Sequence, residues 1–246
     1  MCTVTVLPEA VLAAARLGSS DRLRLRVACN RDELLTRAAA RPPAMFGVGN
    51  AWAVMPIDPD SGGTWIGAND AGLVCVLLNA SGAVPVPAAA LSRGTIIPPL
   101  LGCRDLDAVL TEAKRLSIER YRPFRLLVIY RRELMECWPA NERLELRREP
   151  LREAIMRSSS ALGDAVAAGP RSELFRTMFG HASNPVAAQD LFHVHQWRGR
   201  EAISVRMHRA DAKTVSHTVV EVGDRSVRVT YRQASAAERV AVTMAA

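Results

Sequence analysis

Alternating apolar and polar residues at the start of the chain predict strands. Residues 3–7, Thr-Val-Thr-Val-Leu, are β-branched, and residues 23–29, Leu-Arg-Leu-Arg-Val-Ala-Cys, keep a period of two with one apolar face. The two segments can pair as an antiparallel hairpin with a long connection. Residues 41–63 are rich in Pro, Gly and Asp and read as loop, with a short strand near 51–55. Residues 73–78, Leu-Val-Cys-Val-Leu-Leu, form a continuous apolar run suited to a strand buried on both faces. Residues 80–88 hold two prolines, Pro85 and Pro87, and read as loop.

The period then changes. Leu106, Val109, Leu110, Ala113 and Leu116 follow helical spacing, with Asp105 near the start. Residues 125–130 and 134–138 read as a hairpin. Residues 170–181 and 185–191 read as helices, the second with Asn184 as cap and Pro185 in the first turn. Strand-like segments return at 202–207, 214–222 and 226–232, and the Ala-rich tail 233–246 is expected to fray. Many strands with helices gathered in the middle imply an α+β fold of antiparallel sheets covered by helices. The length suits a single domain over residues 1–232.

Composition narrows the class. Only 5% of the 246 residues are aromatic, so Leu, Val, Ala and Ile must build the core. The net charge of +7 comes almost wholly from arginines, which are dispersed among apolar and acidic neighbours. With no basic tail and no nucleic-acid motif, no nucleic-acid partner is expected. Cys2, Cys29, Cys75, Cys103 and Cys137 are odd in number and form no C-x-x-C, which points to a reducing compartment, the cytoplasm. The apolar stretch 11–17 is interrupted by Arg16, preceded by Glu9 and lacks a positive leader, so it does not read as a secretory signal. No apolar run has the length of a membrane span. The composition does not fix the oligomeric state.

Four places carry candidate chemistry. Cys2 follows an initiator Met that an aminopeptidase removes when the second residue is small; the thiol would then stand beside a free α-amine able to act as its base. An incidental terminal Cys is the alternative. Arg31 and Asp32 follow a strand, either as a functional pair or as a surface ion pair. Asn79 ends the buried run, as a donor projecting into a site or as a turn former before Ala80-Ser81-Gly82. His193 and His195 would share one face of a strand and are open to a metal or haem, or are ordinary histidines. No third ligand follows at a telling spacing, so no metal is assigned.

Taken together, Met1-Cys2-Thr3, then Asn30-Arg31-Asp32-Glu33, then Gly63-Thr64-Trp65-Ile66-Gly67-Ala68-Asn69-Asp70-Ala71-Gly72-Leu73 leading to Leu78-Asn79 resemble the NRDE family. This is the transport-and-Golgi-organisation-protein-2 type. The later stretch also resembles choloylglycine hydrolases, which use an N-terminal Cys. The resemblance implies the four-layer αββα sandwich of N-terminal-nucleophile hydrolases. It implies a Cys2-dependent amidohydrolase or acyltransferase working through a thioester on a small substrate, with Arg31 near the thiol, Asp32 on the α-amine and Asn79 on the oxyanion. Asn30, Ser159 and Lys213 are the substrate-binding candidates, the last two standing where the hydrolases carry Asn and Arg. No cofactor is required. The alternative is a non-catalytic protein on the same scaffold, linked to haem or lipid movement, with haem as a ligand.

Overall fold

The apolar run ending at Asn79 has two faces, and each faces a different core. Val74, Val76 and Leu78 pack in one cluster with Val4, Val27 and Val229, whereas Leu73, Cys75 and Leu77 pack in another with Ile97, Leu100, Leu106 and Val109. The computed structural model describes residues 2–12, 21–80, 90–160, 162, 164–236 and 238–246. Its elements in chain order are β1 (Cys2–Pro8), α1 (Glu9–Leu12), β2 (Leu23–Leu34), β3 (Arg41–Val48), β4 (Ala51–Ile57), β5 (Ile66–Asn69) and β6 (Val74–Asn79). Then come α2 (Ile97–Leu100), α3 (Leu106–Ala113), β7 (Phe124–Tyr130), β8 (Glu133–Ala140), β9 (Arg143–Pro150) and β10 (Ile155–Ser158). The last are α4 (Asp164–Phe179), α5 (Pro185–Val194), β11 (Ala212–Gly223), β12 (Ser226–Gln233) and β13 (Arg239–Ala245).

The strands form two antiparallel sheets, one ordered β10-β1-β2-β11-β12-β13 and the other β3-β4-β5-β6-β7-β8-β9. The first core cluster lies between the sheets, and the second lies between the second sheet and α2 and α3. Helices α4 and α5 cover the outer face of the first sheet, which completes an αββα stack. The outer face of β1 is polar because Thr3 and Thr5 alternate with Val4 and Val6. Arg171 of α4 donates to Thr3 Oγ1 at 2.9 Å, and Gln189 of α5 donates to Thr5 Oγ1 at 2.8 Å. Buried hydrogen bonds therefore fix the helices over this strand where apolar contact is sparse. Among the described residues no helix is long and apolar enough to cross a membrane.

Several expectations hold. The strands at 3–7 and 23–29 pair antiparallel, Asp105 caps α3 through Ala108 N–H, and Asn184 caps α5 through Ala187 N–H. Others are corrected. Much of the expected loop 41–63 is strand β3, whose Pro42 and Pro43 sit at a register break on the sheet edge, where no ladder N–H is required. The expected strand at 202–207 contains only a 3-10 turn over Glu201–Ile203, because Arg171 takes the Ile203 and Ser204 carbonyls. Charged β9 and short β10, absent from the sequence reading, are both edge strands. The tail beyond 232 does not fray: β13 pairs with β12, with Met244 buried on the core. Residues 81–88 of the Pro-containing loop and 13–17 of the apolar stretch lie outside the described residues. The turn at Asn69 is structural: its side chain accepts from Ala71 and Leu73 N–H and donates to the Leu101 and Cys103 carbonyls, while Gly72 takes φ +78°.

Candidate active site

Antiparallel register places Cys2 opposite Arg31 at the end of the β1–β2 ladder, with Val4 opposite Cys29. All four side chains point from the same face, so the Cys2 thiol lies on the inter-sheet side with Cys29 diagonal to it. Cys2 is 5% exposed. Strand β10 brings Ser159 alongside: the Cys2 N–H donates to Ser159 Oγ at 3.2 Å, and Ser159 N–H donates to the Cys2 carbonyl at 3.0 Å. The Cys29 thiol holds the Cys2 thiol below its ordinary pKa against the upward push of burial, with Arg31 acting in the same direction and Asp32 opposing it. Cys29 itself is pushed well above its ordinary value, by Cys2 and by burial. Of the two thiols, Cys2 is the one that gives up its proton more readily. Cys75 is raised by burial, and Cys137 is raised to about 12 by burial.

Cys2 lines a cavity of about 140 Å³ together with Arg31, Trp65, Asn79 and Arg93. Asn79 reaches it from the end of β6, where the strand leaves the sheet interior. Arg31 stacks over the Trp65 ring with its guanidinium carbon 4.3 Å from the centroid. It also bonds Asp58 and, at 3.4 Å, Glu33. Asp58, held below the usual carboxylate range by Arg37 and Arg31 against its burial, pairs with both arginines. Sequence reasoning missed Asp58, Trp65 and Arg93. Trp65 stood inside the quoted motif without a role; Asp58, in a loop, and Arg93, which opens the 3-10 turn Arg93–Ile96, have no pattern to single them out.

The remaining candidates lie elsewhere. Asp32 is buried on the helix-covered face, accepting from Thr214 Oγ1 at 2.6 Å. Burial raises its pKa, and the Arg171 guanidinium opposes the rise. Asn30 does not reach the Cys2 cavity: it donates to the His193 and Val205 carbonyls at 2.8 and 3.0 Å and bonds His217 Nδ1 at 2.8 Å. Its parity on β2 is opposite to that of Arg31, which is the physical reason. Lys213 stands opposite Glu33 on β11 and lines a separate depression, not the Cys2 cavity.

His193 and His195 do not share a strand face. His193 lies in the last turn of α5, buried, with Nε2 2.7 Å from Thr5 Oγ1, while His195 is the residue after the helix and packs against Trp197. Burial, then His217 and Arg26, holds His193 well below its ordinary pKa. His193 is thus engaged at Nε2 and is separated from His195 by the end of the helix.

Solved structures share this architecture. Two variants of the conjugated bile acid hydrolase from Clostridium perfringens superpose with TM-scores of 0.51 and 0.54 at 11% identity, covering 99% and 100% of this chain and 92% and 96% of theirs. A Caenorhabditis elegans N-acylethanolamine-hydrolyzing acid amidase ortholog superposes with a TM-score of 0.53 at 11% identity, covering 89% of this chain and 92% of its own. At such identities the likeness establishes the fold, that of the N-terminal-nucleophile hydrolases. No curated protein matches the sequence. The family model described as Transport and Golgi organisation 2 matches residues 11–236, and the chain belongs to that family.

Proposed function

We propose that the protein is an N-terminal-cysteine amidohydrolase or acyltransferase acting on a small amide or acyl substrate, with Met1 removed. The observation that carries this reading is the Cys2 thiol, held below its ordinary pKa at a small polar cavity. A thiolate is the nucleophilic form of cysteine.

The steps are those of acyl transfer. The α-amine, whose ordinary pKa is near 8, takes the thiol proton. Sγ adds to the substrate carbonyl carbon, and the negative charge that develops on oxygen meets the Asn79 side-chain amide. Collapse breaks the C–N bond, and the α-ammonium passes its proton to the departing amine. Water, or another acceptor, then attacks the thioester; the acid or new acyl product leaves and the thiol is restored. Ser159 Oγ, which accepts from the Cys2 nitrogen, would orient the amine. Asp32, beside the residue that pairs with Cys2, would stabilise the ammonium. Arg31 would stabilise the thiolate; its charge is already shared with Asp58, so it serves position more than substrate binding. The cysteines, all free, suit a reducing compartment, and we place the protein in the cytoplasm.

The test is acylation by a short-chain p-nitrophenyl ester, followed by intact mass and peptide mapping. The expected result is a hydroxylamine-sensitive acyl adduct on a peptide that begins with Cys2, absent from Cys2→Ala. Acylation confined to another residue, or a fully active protein that retains Met1, would refute the reading.

A further inference from the structure

Three guanidinium groups line the Cys2 cavity, and they are not equivalent. Arg31 is committed to Asp58 and Glu33. Arg37 pairs with Asp58 at 3.0 Å and Asp60 at 3.4 Å. Arg93 instead donates to one backbone carbonyl, that of Pro123, at 2.9 Å. Among the described residues no carboxylate forms an ion pair with it. A guanidinium carries five N–H donors and stays charged at any ordinary pH. Most of this fork is unused, in a half-buried position where an uncompensated charge is costly.

Two further observations point the same way. Trp65 lines the same cavity, is 6% exposed, and its indole N–H meets no acceptor among the described residues. Arg93 is also held in place by backbone contact. Thr64 N–H donates to the Gly94 carbonyl at 3.0 Å, so the segment carrying Arg93 is tied to the segment carrying Trp65. The group is therefore preorganised. Burial and the neighbouring Arg122 lower the Arg93 pKa, while a charge on Cys2 raises it, which sets the guanidinium within electrostatic reach of the reacting sulfur.

We propose that the Cys2 cavity takes an anionic substrate, a carboxylate-bearing amide or acyl compound whose carboxylate seats on Arg93 with the Trp65 indole N–H as a second donor. This rests on the reading of Cys2 as the nucleophile. The planar fork favours a carboxylate, which it can grip through two parallel hydrogen bonds. Arg31 is not available for this contact, because Asp58 already occupies it.

The test compares two alkylating agents that differ in charge and attack the same sulfur. Iodoacetate and iodoacetamide each form a C–S bond at Cys2 with loss of iodide. Second-order rates at Cys2 are read by peptide mapping at constant ionic strength, with glutathione as reference. The expected iodoacetate-to-iodoacetamide ratio at Cys2 exceeds that of glutathione by about tenfold, the size of one charge-assisted hydrogen bond. Arg93→Gln returns the ratio to the glutathione value, and Arg93→Lys retains most of the preference. In the wild type, malonate slows iodoacetamide labelling of Cys2 in a saturable way, a readout that stands even if the variants fold poorly. Fast iodoacetamide labelling with a glutathione-like ratio and no malonate protection overturns the anionic substrate and leaves the nucleophile standing. An unchanged ratio in folded Arg93→Gln does the same. No labelling of Cys2 by either reagent overturns both readings.

Discussion

Replacing Gly63 with alanine tests how the cavity is held in shape. An ideal Cβ at Gly63 would lie 2.4 Å from the Gly94 carbonyl carbon, 2.6 Å from its oxygen and 2.8 Å from Thr95 N. Every one of these atoms is backbone, so no side chain can swing aside. Cβ contacts under 3.0 Å are essentially never seen and ordinary ones begin at 3.4 Å, so the two segments must part by about 0.6–1.0 Å. That movement stretches the Thr64–Gly94 hydrogen bond of 3.0 Å and the Asp58–Gly63 bond of 2.8 Å. It displaces Arg93 from Trp65 and disturbs the carboxylate that pairs with Arg31. Overpacking of this kind costs about 1–3 kcal/mol, and a misplacement near 1 Å can cost about 10²-fold in rate. Gly62→Ala is the control: it meets nothing within 4 Å but has φ +67°, so it should cost about 1–2 kcal/mol through backbone strain alone. Urea denaturation and the rate of Cys2 acylation by a p-nitrophenyl ester measure both effects. Gly63→Ala with wild-type stability and acylation would refute the reasoning, as would Gly62→Ala impairing acylation equally.

Further outcomes follow from the same geometry. Cys29→Val removes the thiol that lowers the Cys2 pKa most, so the pH profile of Cys2 alkylation should move to higher pH; an unmoved profile would show that Cys29 does not tune it. Asn79→Ala should lower turnover by about 10²–10³ with little change in stability, and Asn79→Asp should be at least as damaging because a carboxylate repels the oxyanion; normal turnover in Asn79→Asp ends that assignment. His217 is pulled to about 4 by burial and then by Arg26. Its folded pKa lies below the unfolded value near 6.5, so the unfolded chain binds the proton first as pH falls. Stability should be full above about 6.5, decline toward pH 4 and level off below it. His217→Gln should flatten that decline in melting temperature, and an identical slope would exclude His217 as its source.

Much of the fold could be read along the chain because period-two alternation is a local signal. The Thr-Val-Thr-Val start gives β1 one polar and one apolar face whatever it packs against, and caps at Asp105 and Asn184 mark helix starts by side-chain chemistry alone. The misreadings share a cause. Segments 41–48 and 239–245 are edge strands, and edges tolerate prolines, charge and alanine because one side of the ladder needs no partner. Residues 202–207 look like a strand, but their carbonyls are taken by a side chain from α4.

By itself the sequence determined the family resemblance, the thiol at position 2, an antiparallel pairing open to the first two strands, and the buried run that ends at Asn79. Those features rest on neighbours in the chain or on simple strand parity. Only the tertiary structure decided which charges are spent and which are free. Arg31 is paired with Asp58, a residue of a distant loop; Asn30 turns to the helix layer; and Ser159 reaches Cys2 through β10. Arg93 gains its place because two glycine-bearing segments touch across the cavity. Electrostatic pairing depends on separation in space, and the spacing of residues along a chain does not encode that separation.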